Sequence, residues 1–191
     1  MEMPFTQFAE WFAEAKATAA IAEPTAMTLA TATPEGKPSA RIVLLKEFGP
    51  EGFVFYSNYT SRKGRELEAN PHAALCFYWM PLDKQVRIEG RVTPVRDAEA
   101  DAYFASRPRD RQIGAWASLQ SQDLAARTVL EGRVAEFDAA YPDAVPRPPH
   151  WSGWRLVPES IEFWHQNWAR LHARERYQRT ANGWSHTLLY P

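Results

Sequence analysis

From Gln85 to Val95 the chain alternates cleanly: Val86, Ile88, Gly90 and Val92 on one side, Gln85, Arg87, Glu89 and Arg91 on the other. A period of two predicts a β-strand with one dry and one wet face. At the N-terminal end the period changes: Phe5, Phe8, Ala9, Phe12 and Ala15 recur at helical spacing and predict a helix over 5–19, with Thr6 as its cap. A strand is expected over 26–33, then a turn at Pro34-Glu35-Gly36-Lys37 leading into 39–47. The apolar runs Ile42–Leu45 and Phe53–Tyr56 flank Gly49-Pro50-Glu51-Gly52, which predicts a hairpin. It feeds a helix over 61–70, capped by Thr60 or Ser61 and stopped at Asn70-Pro71.

The run HAALCFYWM over 72–80 reads as a buried strand, and Pro81-Leu82-Asp83-Lys84 as the turn after it. Asp97 is expected to cap a helix to Ser106; an Arg-rich loop follows, and 122–140 makes the longest helix before Pro142, Pro146, Pro148 and Pro149. Strands return over 153–190, one of them spanning 169–179, with a turn at Ala181-Asn182-Gly183. About seven strands with roughly three or four helices, not alternating, predict a mainly β protein: a closed or partly closed antiparallel barrel with flanking helices.

With 191 residues the chain fits one domain, 1–191, with an N-terminal helix inside 1–20. Lys+Arg of 22 against Asp+Glu of 23 argues against nucleic acid, so any cationic site is local. Cys76 is the one cysteine, which excludes an internal disulfide and a cysteine zinc cluster and suits a reducing, cytoplasmic setting. Glu2, Glu10, Glu14 and Lys16 interrupt the N-terminal stretch, unlike a signal peptide, and no run approaches a membrane span. His72, His150, His165 and His186 are scattered without metal-ligand spacing. Neither GxGxxG nor GxxxxGK[ST] occurs, so a bound phosphate must be held by side chains and a helix end.

Three constellations could hold an anion. Tyr56 to Lys63 puts hydroxyls, Arg62 and Lys63 where a strand gives way to a helix, whose first N–H groups face an anion. Arg41 and Lys46 join them, on opposite faces of one strand by strict alternation, so each can serve a different phosphate. Arg170, His172 and Arg174 project from one face if their segment is a strand, and three such groups repel unless an anion or ring lies opposite. The stretch Tyr103 to Ser121 adds Arg107, Arg109 and Arg111 together with Gln120 and Ser121.

Together RIVLLK (41–46), YSN (56–58), SRK (61–63), SRPRD followed by QIGAW, the QS pair, IEFW and RLH closely resemble the pyridoxine/pyridoxamine 5'-phosphate oxidase family, from about Ala26 to Pro191. The resemblance implies an FMN-binding split β-barrel of antiparallel Greek-key type, forming a homodimer with sites at the interface and strands 150–191 completing them. It implies oxidation of pyridoxine or pyridoxamine 5'-phosphate to pyridoxal 5'-phosphate, with O2 reduced to H2O2. By that resemblance Arg41, Ile42, Val43, Leu44, Leu45, Lys46, Tyr56, Ser57, Arg62 and Lys63 bind FMN, with Gln85, Gln120 and Ser121 completing its surroundings. Trp164 and Arg174 reach the same flavin from the second chain. Lys46, Tyr103, Arg107 and Arg111 hold the substrate phosphate, Leu171 lies in the same substrate site, and Arg170 and His172 are the catalytic pair beside the pyridine ring.

The chain departs from the family at Arg111, commonly Ser; at Ala173, commonly Asp; and between Trp164 and Arg170, where HQNWA lacks the usual glycine. These departures touch the substrate side more than the flavin side. Two alternatives stay in view: a split-barrel flavoenzyme with another substrate, such as the phenazine-pathway relatives, against which Tyr103 and Arg107 argue, and a non-catalytic flavin or pyridoxal phosphate binder, for which Arg111 and Ala173 argue.

Overall fold

The computed structural model describes residues 3–191; Glu2 lies outside them. Nine antiparallel strands form one sheet: β1 (Ala26–Ala32), β2 (Pro38–Leu44), β3 (Glu47–Gly49), β4 (Gly52–Asn58), β5 (His72–Trp79), β6 (Lys84–Pro94), β7 (Trp151–His165), β8 (Ala173–Thr180) and β9 (Gly183–Leu188). Their order is β2-β1-β5-β6-β7-β4-β3, with β8 and β9 continuing from the far end of β7. Five α-helices flank the sheet: α1 (Phe5–Ala17), α2 (Arg62–Ala69), α3 (Asp97–Ala105), α4 (Arg109–Ala117) and α5 (Arg127–Ala140). The expected mainly β split-barrel class is what the structure has.

Helix α1 supplies the plug of the core. Its Phe5, Phe8 and Phe12 are buried and meet Phe48, Phe53 and Phe77 edge-on or stacked and Trp79 at a tilt, ring centroids 4.8–6.2 Å apart. Such pairs add about 0.5–1.5 kcal/mol each beyond area burial. Strand β6 is as its alternation predicts, with Val86, Ile88, Gly90 and Val92 buried. Its neighbour β7 tolerates Pro158 mid-strand because the register shifts between Glu89 and Gly90, opening a bulge. Gly90 is required there: a Cβ would lie 2.1 Å from the Val157 carbonyl oxygen.

Several local expectations are corrected. The run Ile42–Leu45 does not pair with Phe53–Tyr56; β2 pairs with β1, and only the short β3 forms the hairpin with β4. The chain changes neighbours at its end, the Leu45 N–H donating to Thr25 O and the Lys46 N–H to Val54 O, both 2.9 Å. Lys46 is therefore past β2 rather than on its opposite pleat. The N-cap of α1 is Pro4, not Thr6, and that of α3 is Arg96, with Asp97 the first helical residue. The Arg-rich loop contains a whole helix, α4, and α5 begins at 127 rather than 122. Finally, 169–179 is not one strand: a 3-10 turn spans Trp168–Arg170, and β8 starts at Ala173. The Asn167 side chain accepts from the Trp168 N–H at 2.8 Å, and Ala169 and Arg170 take φ of 52° and 62°. Left-handed backbone at two non-glycine residues costs about 1–2 kcal/mol each. It falls where the family's usual glycine is missing.

Candidate active site

Strand β4 leads directly into α2, and Ser61 closes the corner as N-cap, accepting from the Gly64 N–H at 3.3 Å. Gly64 lets the helix press onto the preceding turn, since a Cβ would lie 2.0 Å from the Tyr59 carbonyl oxygen. This close approach draws Lys63 inward until it is 9% exposed. Its Nζ donates to Gln120 Oε1 at 2.7 Å and to Ser61 Oγ at 3.2 Å, with no carboxylate bonded to it. Burial, and after it the neighbouring Arg41, pushes the Lys63 pKa down to about 8. Ser57 Oγ donates to the same Gln120 oxygen at 3.3 Å.

Two adjoining cavities meet at Ile42, Lys63 and Gln120. The smaller, about 400 Å³, is walled by Arg41, Arg62, Lys63, Ser39, Ala40 and Ser121. The larger, about 460 Å³, carries Lys46, Tyr103, Arg107 and Arg111, with Val43, Leu44, Tyr56 and Ser57 along its wall. Arg41 and Lys46 thus do face different cavities, through the change of strand neighbours rather than through pleat alternation. Leu45 does not join them; its side chain is in the core.

A ring stack builds the wall of the larger cavity. Tyr56 lies 4.0 Å from Tyr103 and 5.3 Å from Trp151, nearly parallel to both, and the Arg107 guanidinium sits 4.7 Å over Trp151. Burial foremost, with Glu99 and Glu47 adding to it, pushes the Tyr56 hydroxyl up to about 12, so it stays protonated. Arg107 Nη1 is buried without a hydrogen-bond partner, and burial lowers its pKa, with Arg111 adding to the effect. A buried guanidinium nitrogen left unpaired is costly unless a ligand fills its place. Asn58 and Ser118, from the first and third constellations, also line this cavity, as does Trp151, which did not stand out in the sequence.

Besides Leu45, six expected site residues are absent from both cavities: Gln85, Trp164, Arg170, Leu171, His172 and Arg174. They form a group of their own. Gln85 pairs with Trp164 and Trp164 with Arg174, placing the three in one row across β6, β7 and β8. His172 packs on the Trp164 ring at 4.6 Å, and its Nδ1 accepts from the Asn167 N–H at 3.3 Å. Arg174 donates to the buried Glu162 at 2.8 Å, and Arg87 pairs with the other oxygen of that carboxylate at 3.2 Å. Arg170 is exposed and lies on the turn, so it does not share a strand face with His172 and Arg174. Gln85, expected beside Gln120 and Ser121, belongs instead to this second group.

The two groups occupy opposite ends of β7. Trp151 begins the strand at the cavity and Trp164 nearly ends it; at a rise of about 3.3 Å per residue the strand between them is about 40 Å long. One chain does not bring them together.

Residues 13–141 match the family model described as pyridoxamine 5'-phosphate oxidase, and residues 151–191 the pyridoxine 5'-phosphate oxidase C-terminal dimerisation region. A pyridoxine/pyridoxamine 5'-phosphate oxidase of Myxococcus xanthus is 60% identical over 98% of this chain and 91% of its own. One from Rhodospirillum rubrum is 59% identical, over 98% and 96%. Among solved structures, PhzG from Burkholderia lata, in complex with tetrahydrophenazine-1-carboxylic acid, superposes with a TM-score of 0.93 at 38% identity, covering 98% of this chain and 92% of its own. A pyridoxamine 5'-phosphate oxidase-related, FMN-binding protein from Nostoc punctiforme shares the fold at a TM-score of 0.79 and 17% identity, each chain covered in full. The two cavities, the C-terminal row and these matches along nearly the whole sequence agree: the chain is an oxidoreductase and belongs to the pyridoxamine 5'-phosphate oxidase family.

Proposed function

We propose that the protein is an FMN-dependent oxidase that converts pyridoxine or pyridoxamine 5'-phosphate to pyridoxal 5'-phosphate, with O2 as acceptor. The observation that carries this reading is the pair of adjoining cavities, each with its own cations. Arg41, Arg62 and Lys63 suit the phosphate of FMN; Lys46, Tyr103, Arg107 and Arg111 suit that of the substrate. The donor set fits FMN: Lys63 has no carboxylate bonded to it, Arg62 is 59% exposed with only its Nε engaged, and Gln120 and Ser121 offer neutral hydrogen-bonding groups. FMN supplies a two-electron acceptor that O2 restores. The alcohol yields H2O2, and the amine yields ammonia as well, with water consumed.

The remaining work falls to the chain. Lys46, Tyr103 and Arg107 anchor the substrate by its phosphate, and the ring stack of Tyr56, Tyr103 and Trp151 bounds the space beside it. Trp164, Gln85 and Arg174 come from a second copy to the flavin side, and Arg170 and His172 to the pyridine ring, where Arg170 orients C4' and His172 hydrogen-bonds. Residues 150–191 complete the site of the neighbouring chain in a homodimer, the whole of 1–191 acting as one FMN-binding unit. Among the described residues no helix is long and apolar enough to cross a membrane, and no group of metal-binding side chains occurs. A cytoplasmic setting suits the unpaired Cys76.

The purified protein with FMN should form pyridoxal 5'-phosphate and H2O2 in equal amounts from pyridoxamine 5'-phosphate. A second reading, a phenazine-type carboxylic acid as substrate, is favoured by Arg111 at the larger cavity, and the same assay run with both compounds separates them. A protein that binds FMN and oxidises neither is the non-catalytic binder instead.

Lys63 sets the pH dependence. A bound phosphate favours its charged amine, so the ligand raises a pKa that stands at about 8 without it. FMN affinity should be level between about pH 7, where the phosphate has lost its second proton, and pH 8, and weaken above it by up to about tenfold per pH unit. Riboflavin, lacking the phosphate, should show no such fall. Fluorescence titrations at stepped pH measure both, and an FMN affinity that stays level above pH 8 contradicts the assignment.

A further inference from the structure

Beneath the smaller cavity lies a carboxylate with no role in the reading so far. Glu66, on α2, is 6% exposed, and both its oxygens are committed. Oε2 accepts from Thr31 Oγ1 and Ser39 Oγ, each at 2.5 Å, and from Arg41 Nη2 at 3.2 Å; Oε1 accepts from Arg62 Nε at 2.8 Å. Burial alone would raise its pKa, but the hydrogen bonds from Ser39, Thr31, Arg62 and Arg41 hold it down to about 2. A solvated i,i+4 pair with Arg62 would not need this setting, because surface pairs of that kind contribute little.

We propose that Glu66 is the positioning residue of the cofactor-phosphate site: one buried carboxylate holds the Arg41 and Arg62 guanidiniums at the wall of the same cavity. The inference rests on the FMN reading above. Held on Glu66 through Nε, Arg62 keeps its two terminal nitrogens for a ligand. Arg41 is fixed more firmly, with Nη1 also donating to Leu29 O at 3.2 Å and to Thr31 Oγ1 at 2.5 Å. With Lys63, three cations and one carboxylate leave a net charge of about +2, matched to a phosphate monoester of about −1.5 to −2. Guanidiniums fixed before the ligand arrives lose less freedom on binding it.

The sign of the effect separates positioning from simple charge. If Glu66 acted only as a nearby negative charge, removing it would tighten binding of any anion. As a positioning residue, its loss weakens binding of the phosphate and leaves the ring system alone. The test is the dissociation constant of FMN and of riboflavin, by flavin fluorescence, on the full chain freed of cofactor, as wild type, Glu66→Gln and Glu66→Ala. The expected result is FMN affinity reduced at least about tenfold in both variants with riboflavin changed less than about twofold, the loss of one or more charge-assisted hydrogen bonds. In a double-mutant cycle with Arg62→Ala the two losses should not add. Should Glu66→Ala fail to fold, the near-isosteric Glu66→Gln carries the same comparison. Unchanged or tighter FMN binding overturns the proposal, as does an equal loss for FMN and riboflavin, which marks a purely structural role. A wild type without preference for FMN over riboflavin removes the FMN reading itself, and the proposal with it.

Discussion

Arg107→Ala should reduce kcat/KM for pyridoxamine 5'-phosphate by about 10²–10⁴-fold, the loss of two charge-assisted hydrogen bonds to a phosphate at about 1.5–3 kcal/mol each. The position is prepared for such a ligand. The guanidinium is laid over Trp151 at 4.7 Å, half-buried, with one nitrogen that has no partner in the protein. Stacking supports the planar group without using its in-plane donors, and Arg107 lines the larger cavity. The loss should appear mainly in KM, because the phosphate takes no part in the reaction at C4' and binds alike in ground and transition states. Oxidation of unphosphorylated pyridoxine should be unchanged. Steady-state peroxide formation measures both, and an Arg107→Ala protein with unaltered KM for the phosphorylated substrate would remove Arg107 from the site.

How much of this was legible in the sequence depends on where each residue's partner lies. Strand β6 and the α2 cap are local features, a period of two and a serine before a helix, and both are where the sequence puts them. Helix α4 was hidden because its nine residues bury only Ile113 and Ala117; one i,i+4 pair behind a polar RDRQ turn is too thin a stripe to read. The hairpin was misplaced because β2 and β4 are both apolar and only long-range pairing decides that β1 takes β2. The resemblance supplied the members of the site, and the structure divided them. Leu45 went to the core, and Gln85 to the C-terminal row, since its neighbour Trp164 is fixed by the β6–β7 register. Arg170 lost its strand because Ala169 and Arg170 turn left-handed, which non-glycine residues do not advertise. Glu66 gave no signal at all. A glutamate in the helix RKGRELEA reads as surface, and only Thr31 and Ser39, contributed by β1 and β2, show it to be buried.

That division yields the second large effect. On the proposed reading the cavity group and the C-terminal group, about 40 Å apart along β7, form one working site from the two ends of different chains. In a two-fold dimer each chain gives its cavity to one site and its C-terminal row to the other. Arg107→Ala damages the first contribution and Arg170→Ala the second, so at substrate concentrations near the wild-type KM either homodimer should be nearly inactive. A heterodimer of the two variants carries both lesions in one site and none in the other. Isolated through two different affinity tags and assayed for peroxide with pyridoxamine 5'-phosphate, that heterodimer should recover about half of the wild-type rate per dimer, one intact site of two. Activity no higher than that of the two parent variants would mean that each chain completes its own site, and would contradict the shared site on which the reading rests.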